Sequence, residues 1–159
     1  GAVLAGAMII LGPATALSVH AHSPLGVGKS PSFLAVQLTD ILAFATLIIP
    51  ALLLRGQSAA HKRLVLLATL YISDAGFARW LSVPIGTALG QGFWPQLAAQ
   101  YLPNDLVVMG IGAYDIITRG RLLPAYVVAA AWTAALQLLA MALLFSAWWP
   151  PIADHLVGR

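Results

Sequence analysis

The sequence predicts an all-α integral membrane protein, one bundle of about five transmembrane helices, and three observations lead there. Of the 159 residues, 60% are apolar and only 8% are charged, against about 25% charged in soluble domains. Mean hydropathy is +0.89. Five stretches approach the roughly 20 apolar residues that a helix needs to cross about 30 Å of hydrocarbon. The same figures exclude intrinsic disorder. With no Cys, a disulfide framework and any thiolate metal or iron–sulfur site are excluded. The pI near 9.7 rests on eight Lys/Arg against five acids. Charge this dispersed makes no phosphate-binding patch, so nucleic acid is not an expected partner.

The spans are expected at about 1–19, 33–54, 64–84, 104–118 and 124–149. The first and fifth carry no charge; the second contains Asp40, and the third contains Asp74 and Arg79. The fourth is short, and the fifth is long enough to cross with some tilt. Ser30-Pro31 places a capping hydroxyl before a first-turn proline at the second span. Pro103-Asn104-Asp105 does the same for the fourth, Pro124 opens the fifth, and Pro150-Pro151 closes it. Residues 85–102, rich in Gly, Gln and Pro and free of charge, read as a surface loop or a short re-entrant piece. Short connections after Arg55 and Arg119 make neighbouring spans antiparallel. The chain opens in mid-apolar sequence without Met, so a longer protein with a further helix upstream is expected. A cleaved signal peptide fits less well: the first stretch has no basic flank and no small-residue cleavage pattern follows it.

Arg55, Lys62, Arg63, Arg119 and Arg121 fall in the two short loops, and Lys29 and Arg159 on the opposite side. The positive-inside rule then predicts a multi-pass protein of the bacterial inner membrane with both short loops cytoplasmic. Trp80, Trp94, Tyr101, Trp148 and Trp149 fall near the outer ends, as an interfacial belt does.

Ionisable groups within a bilayer are costly and usually face the bundle interior. Counted at about 1.5 Å per residue from the cytoplasmic ends, Thr15, Asp40, Asp74, Arg79, Asp105 and Gln137 lie at roughly one level, about 18–25 Å deep. Gln37 shares a helix face with Asp40, and Tyr71 with Asp74. Two readings stay open. Either Arg79 snorkels, Asp105 caps a helix and Asp40 and Asp74 bond to neighbouring helices, or the layer is a buried polar site. In the second case Arg79 is expected to ion-pair with Asp40 or Asp105, leaving Asp74 protonated or facing a ligand.

His20-Ala21-His22 reads as part of the outer loop, either solvated or holding copper or zinc with Asp40 near by. At the cytoplasmic ends, Asp115 is expected to accept from Arg119 or from the His61–Arg63 turn, pinning the two short hairpins together. His155 lies in the tail. No phosphate-binding loop, dinucleotide fingerprint, nucleophile elbow or zinc-protease motif is present, and no cofactor is required by the sequence.

His61-Lys62-Arg63-Leu64-Val65-Leu66-Leu67-Ala68-Thr69, with Arg79 further on, forms one recognisable run. Tyr114-Asp115-Ile116-Ile117-Thr118-Arg119-Gly120-Arg121-Leu122, followed by Pro124, forms a second. Over about 36–124 the chain resembles a family of small bacterial polytopic membrane proteins of unassigned function. Asp40 and Asp105 fall where that family tends to have Asp. Val65 stands where it usually has Met, and Leu123 where it often has His, which weakens a paired-His haem site. More distantly, the His-Arg/Lys-Leu element is similar to a membrane family implicated in cytochrome oxidase maturation. The resemblance implies a longer N-terminus and names no reaction.

Two functions are expected from different classes. One is a non-catalytic integral subunit or accessory protein, surrounded by lipid and packed against other integral subunits of a respiratory or photosynthetic complex. The other is a small ligand-, proton-, metal- or haem-handling protein built on the Asp/Arg layer.

Overall fold

A computed structural model describes residues 1–22, 31–90 and 92–158. Every regular element among them is helical: α1 (Ala2–His22), a 3-10 turn at Pro31–Phe33, α2 (Leu34–Leu53), α3 (Ser58–Leu89), α4 (Phe93–Arg119), α5 (Pro124–Leu144) and α6 (Trp149–Leu156). Four of these, α1, α2, α3 and α5, are long and apolar enough to cross a membrane. The Ser30 cap and the outer charges Lys29 and Arg159 lie outside the described residues.

The helices pack as α2, α3, α4 and α5 around a shared interior, with α1 laid against α2. Small side chains let the backbones approach. Ala35, Ala43, Ala51, Ala68 and Ala140 have no exposed surface, and Gly12 of α1 rides on the Ile41 side chain of α2. Between membrane helices such close packing supplies the attraction that the hydrophobic effect supplies in water. Phe44, Leu47, Leu64, Leu67 and Tyr126 fill the end carrying the α2–α3 and α4–α5 turns. At the opposite end α6 folds back, and its Trp149 and Ala153 pack with Leu34 and Ala35.

Three expectations are corrected. Residues 85–89 and 93–102 are not a loop: α3 runs on to Leu89 and α4 begins at Phe93. The reversal needs only Gly90 (φ +83°) and Gly92 (φ +139°) as its flanks, conformations that glycine adopts at little cost. Pro95 sits in the first turn of α4, where it removes no helical hydrogen bond, and Pro103 is carried within the helix. The fourth helix is therefore 27 residues long, not the short 104–118 span, although it is not among the four apolar enough to cross by composition. Pro150-Pro151 do not close the fifth helix. It ends at Leu144, and the prolines occupy the first turn of α6, a position their fixed φ favours. Two members of the expected aromatic belt point inward: Tyr101 is 1% and Trp149 9% exposed, the latter donating from its indole N–H to the Ser32 carbonyl at 3.0 Å.

Candidate functional site

Asp74 of α3 is fully buried and accepts from two amides of α4, Gln100 Nε2 and Asn104 Nδ2, each at 2.9 Å. Those residues are four apart on one helix face, so a single face of α4 supplies both donors. Asn104 Nδ2 also donates to the Leu70 carbonyl at 3.2 Å. Gln137 of α5 donates from Nε2 to the Tyr71 hydroxyl at 2.8 Å and to Asp105 Oδ1 at 2.7 Å. The Tyr101 hydroxyl donates to Asp40 Oδ1 at 3.3 Å, and the Tyr71 and Tyr101 rings stand 6.5 Å apart. Asp40, Asp74, Asp105 and Gln137 thus meet in one polar core joining α2 to α5.

Arg79 does not pair with any of these acids within 4.0 Å, contrary to the expectation. Its side chain is exposed, whereas Asp74, five residues earlier on the same helix, is buried. That difference follows from their roughly 140° angular separation. Amide and phenol groups of the described residues donate to the interior acids. Thr15 also stays out of the layer: it is exposed, and its hydroxyl donates to the Leu11 carbonyl of its own helix at 2.7 Å.

A cavity of about 210 Å³ opens beside this core, bounded by His20 of α1, Gln37 and Asp40 of α2, Arg79 of α3 and Gln100 of α4. His20 is 6% exposed. Its Nδ1 lies 3.0 Å from the Ala16 carbonyl. A carbonyl only accepts, so Nδ1 carries a proton, and in the singly protonated tautomer that this contact selects Nε2 is an acceptor. That Nε2 is buried with no partner among the described residues, and so is Gln37 Oε1. The residues of both unsatisfied acceptors, with Asp40 and Arg79, therefore line one hollow. A larger hollow of about 480 Å³ continues from it along the α1–α2 seam past Thr15, sharing Gln37, Asp40 and Arg79.

The His20/His22 metal expectation is corrected. Both residues lie on α1 rather than in a loop, and positions two apart on a helix project about 200° apart. His22 is exposed and bonds the Ser18 carbonyl at 2.9 Å, so the two rings cannot close on one ion. Among the described residues no group of three His, Cys, Asp or Glu is placed to hold a metal.

At the end bearing the short turns, Arg63 grips Asp115 with two nitrogens: Nε donates to Oδ2 at 2.9 Å and a terminal nitrogen to Oδ1. Arg119 Nε stands 3.5 Å from the same Oδ1. Arg63 also lies over the Tyr114 ring, 5.6 Å from its centroid. His61 is not part of this contact. Its Nδ1 meets the Ala51 carbonyl at 2.8 Å, closing the α2–α3 turn. The Arg63–Asp115 pair ties α3 to α4 and makes a structural clasp.

Gln100, Asn104 and Tyr101 are the interior polar residues that the sequence reading missed. For Gln100 and Asn104 the signal was the spacing Gln96-Gln100-Asn104, a four-residue polar repeat that marks one helix face. It was hidden because Pro95 and Pro103 made the stretch read as a loop. No family model matches the chain, and neither a curated protein nor a solved structure does.

Proposed function

We propose that the chain is a multi-pass protein of a bacterial inner membrane that binds a small amine or zwitterion in the cavity between α1, α2, α3 and α4. The observation that carries this reading is the pair of buried acceptors without partners, His20 Nε2 and Gln37 Oε1, at the wall of one cavity. A buried acceptor left unsatisfied costs about 1–3 kcal/mol, and a donor-rich guest removes that penalty. An ammonium group offers several N–H donors to these acceptors. Arg79, on the same cavity, suits a carboxylate or phosphate at the guest's other end. The volume limits the guest to a small solute; water is the competing occupant. The five-to-two basic asymmetry of the sequence supports placing the Arg55–Arg63 and Arg119–Arg121 turns in the cytoplasm, which puts the cavity towards the outer face.

The test is thermal unfolding in mild detergent with ethanolamine, glycine or acetate added. Ethanolamine or glycine raises the midpoint of the wild type, since a ligand bound only to the folded state stabilises it by mass action. His20→Phe and Gln37→Leu remove the rise, and acetate gives none. Failure of both amines to shift the wild type rejects the proposal.

A second reading, an accessory subunit of a larger membrane complex, is favoured by α1. Only 11% of its apolar window is buried within the chain, and Val3, Leu4, Ile10 and Leu11 face outward. Co-extraction of a stoichiometric integral partner in mild detergent, lost on Leu4→Ser with Leu11→Ser, supports this reading; a lone chain excludes it.

A further inference from the structure

A second hollow, of about 470 Å³, lies at the other end of the bundle between α2 and α5. Leu54 and Pro124 form its mouth, Leu64 and Val128 line it, and Thr46 and Trp132 close it. The closure is a hydrogen bond from the Trp132 indole N–H to Thr46 Oγ1 at 2.9 Å. From Leu54 to Thr46 on α2, and from Pro124 to Trp132 on α5, the depth is about 12 Å at 1.5 Å per residue. The two antiparallel helices therefore give the groove the same depth on both walls.

The mouth is basic. Arg55 follows Leu54 directly, and Arg121 stands just before the α5 N-terminus at Pro124. Both are exposed, and neither forms an ion pair among the described residues. The α5 N-terminus has no side-chain cap, so its first amides add partial positive charge there. At this end of the bundle Arg55, Lys62, Arg63, Arg119 and Arg121 face a single acid, Asp115, which Arg63 already holds. Water does not satisfy an apolar groove, and an uncharged lipid leaves the cations unmatched.

We propose that this groove is a binding site for an anionic phospholipid, its acyl chain along Leu64 and Val128 and its phosphate between Arg55 and Arg121. An apolar trough beneath exposed cations matches both halves of such a lipid. The site is independent of the small-solute cavity and requires only that the turns lie at one membrane surface.

Trp132 is the reporter. The protein is reconstituted in phosphatidylcholine vesicles containing increasing fractions of chain-brominated phosphatidylglycerol or chain-brominated phosphatidylcholine. The Trp132 signal is the difference from Trp132→Phe. Bromine on the anionic lipid is expected to quench it at a roughly tenfold lower mole fraction than bromine on phosphatidylcholine. Arg55→Gln with Arg121→Gln brings the two curves together, and raised salt narrows the gap. Far-UV circular dichroism verifies that the variant is folded. As a second variant Val128→Phe fills part of the groove without adding a tryptophan, and it is expected to weaken anionic quenching with both arginines present. Equal quenching by the two lipids in the wild type overturns the proposal, as does an anionic preference that survives loss of both arginines.

Discussion

Asp115 has no exposed side-chain surface and holds Arg63 through two nitrogens. Replacing it with Asn removes the charge and one of the two oxygens that accept from Arg63, and leaves a guanidinium that is only 14% exposed. Asp115→Asn should lower stability by about 1.5–3 kcal/mol, read by denaturant unfolding in detergent micelles. Arg119→Gln should change it by under about 1 kcal/mol, because Arg119 is 42% exposed and water screens the contact. Asp74 gives a sharper contrast. Asp74→Leu takes away the carboxylate acceptor of the buried Gln100 amide and leaves the Asn104 amide only the Leu70 carbonyl, whereas Asp74→Asn keeps one acceptor. In the same assay the Leu variant should lose about 1–3 kcal/mol more than the Asn variant. The acids were legible in the sequence because charge is scarce in apolar segments and each Asp stands out. Their partners were not: Gln, Asn and Tyr occur in loops and interfaces as readily as in cores, and only the folded α4 shows that Gln100 and Asn104 share a face. Arg79 was misjudged because charge complementarity alone favours an ion pair. Helix phase and the cost of burying a guanidinium act against it.

Helix α4 carries the most information at the level of elements, since it supplies donors to Asp74 and Asp40 and its last turns hold Asp115. It docks on α5 through Gly112. A Cβ there would lie 2.8 Å from the Tyr126 hydroxyl, which donates to the Val108 carbonyl at 2.6 Å. Gly112→Ala should therefore destabilise the bundle by about 1–3 kcal/mol through overpacking. In Tyr126→Phe the hydroxyl is absent, so adding Gly112→Ala to that background should do less harm than in the wild type. Additive losses in this double-mutant cycle would show that the two sites do not meet. The apolar helices were legible from hydropathy, to within a few residues at most ends. The first half of α4 and the break before α6 were not, because proline signals a boundary without saying on which side the helix lies. Pro95 and Pro150 sit in first turns, and Pro103 lies inside a helix whose packing tolerates it.

For the whole molecule, α1, α2, α3 and α5 are long and apolar enough to cross a membrane, α4 joins α2, α3 and α5 around a polar core, and basic turns lie at one end. The chain has no native Cys, so topology can be read with single engineered ones. Ala147→Cys, at the α5–α6 break, should react with an impermeant maleimide applied to intact cells. Gln57→Cys, in the α2–α3 turn, should react only after the membrane is opened; the reverse pattern would invert the proposed orientation. Composition made the class of protein legible, because an apolar excess of this size has few physical solutions. The cavity was not legible. It depends on α1 reaching as far as His22, which turns His20 inward, where the sequence suggested a solvated His-x-His loop.

The central claim is that His20 presents an unprotonated Nε2 to a small amine inside the bundle. The ¹⁵N spectrum of its imidazole in lipid bilayers, assigned by its loss in His20→Phe, tests this most directly. With ethanolamine or glycine titrated in, the account predicts a proton on Nδ1 throughout and an Nε2 resonance that moves and saturates. An Nε2 resonance that stays fixed across the titration would contradict it.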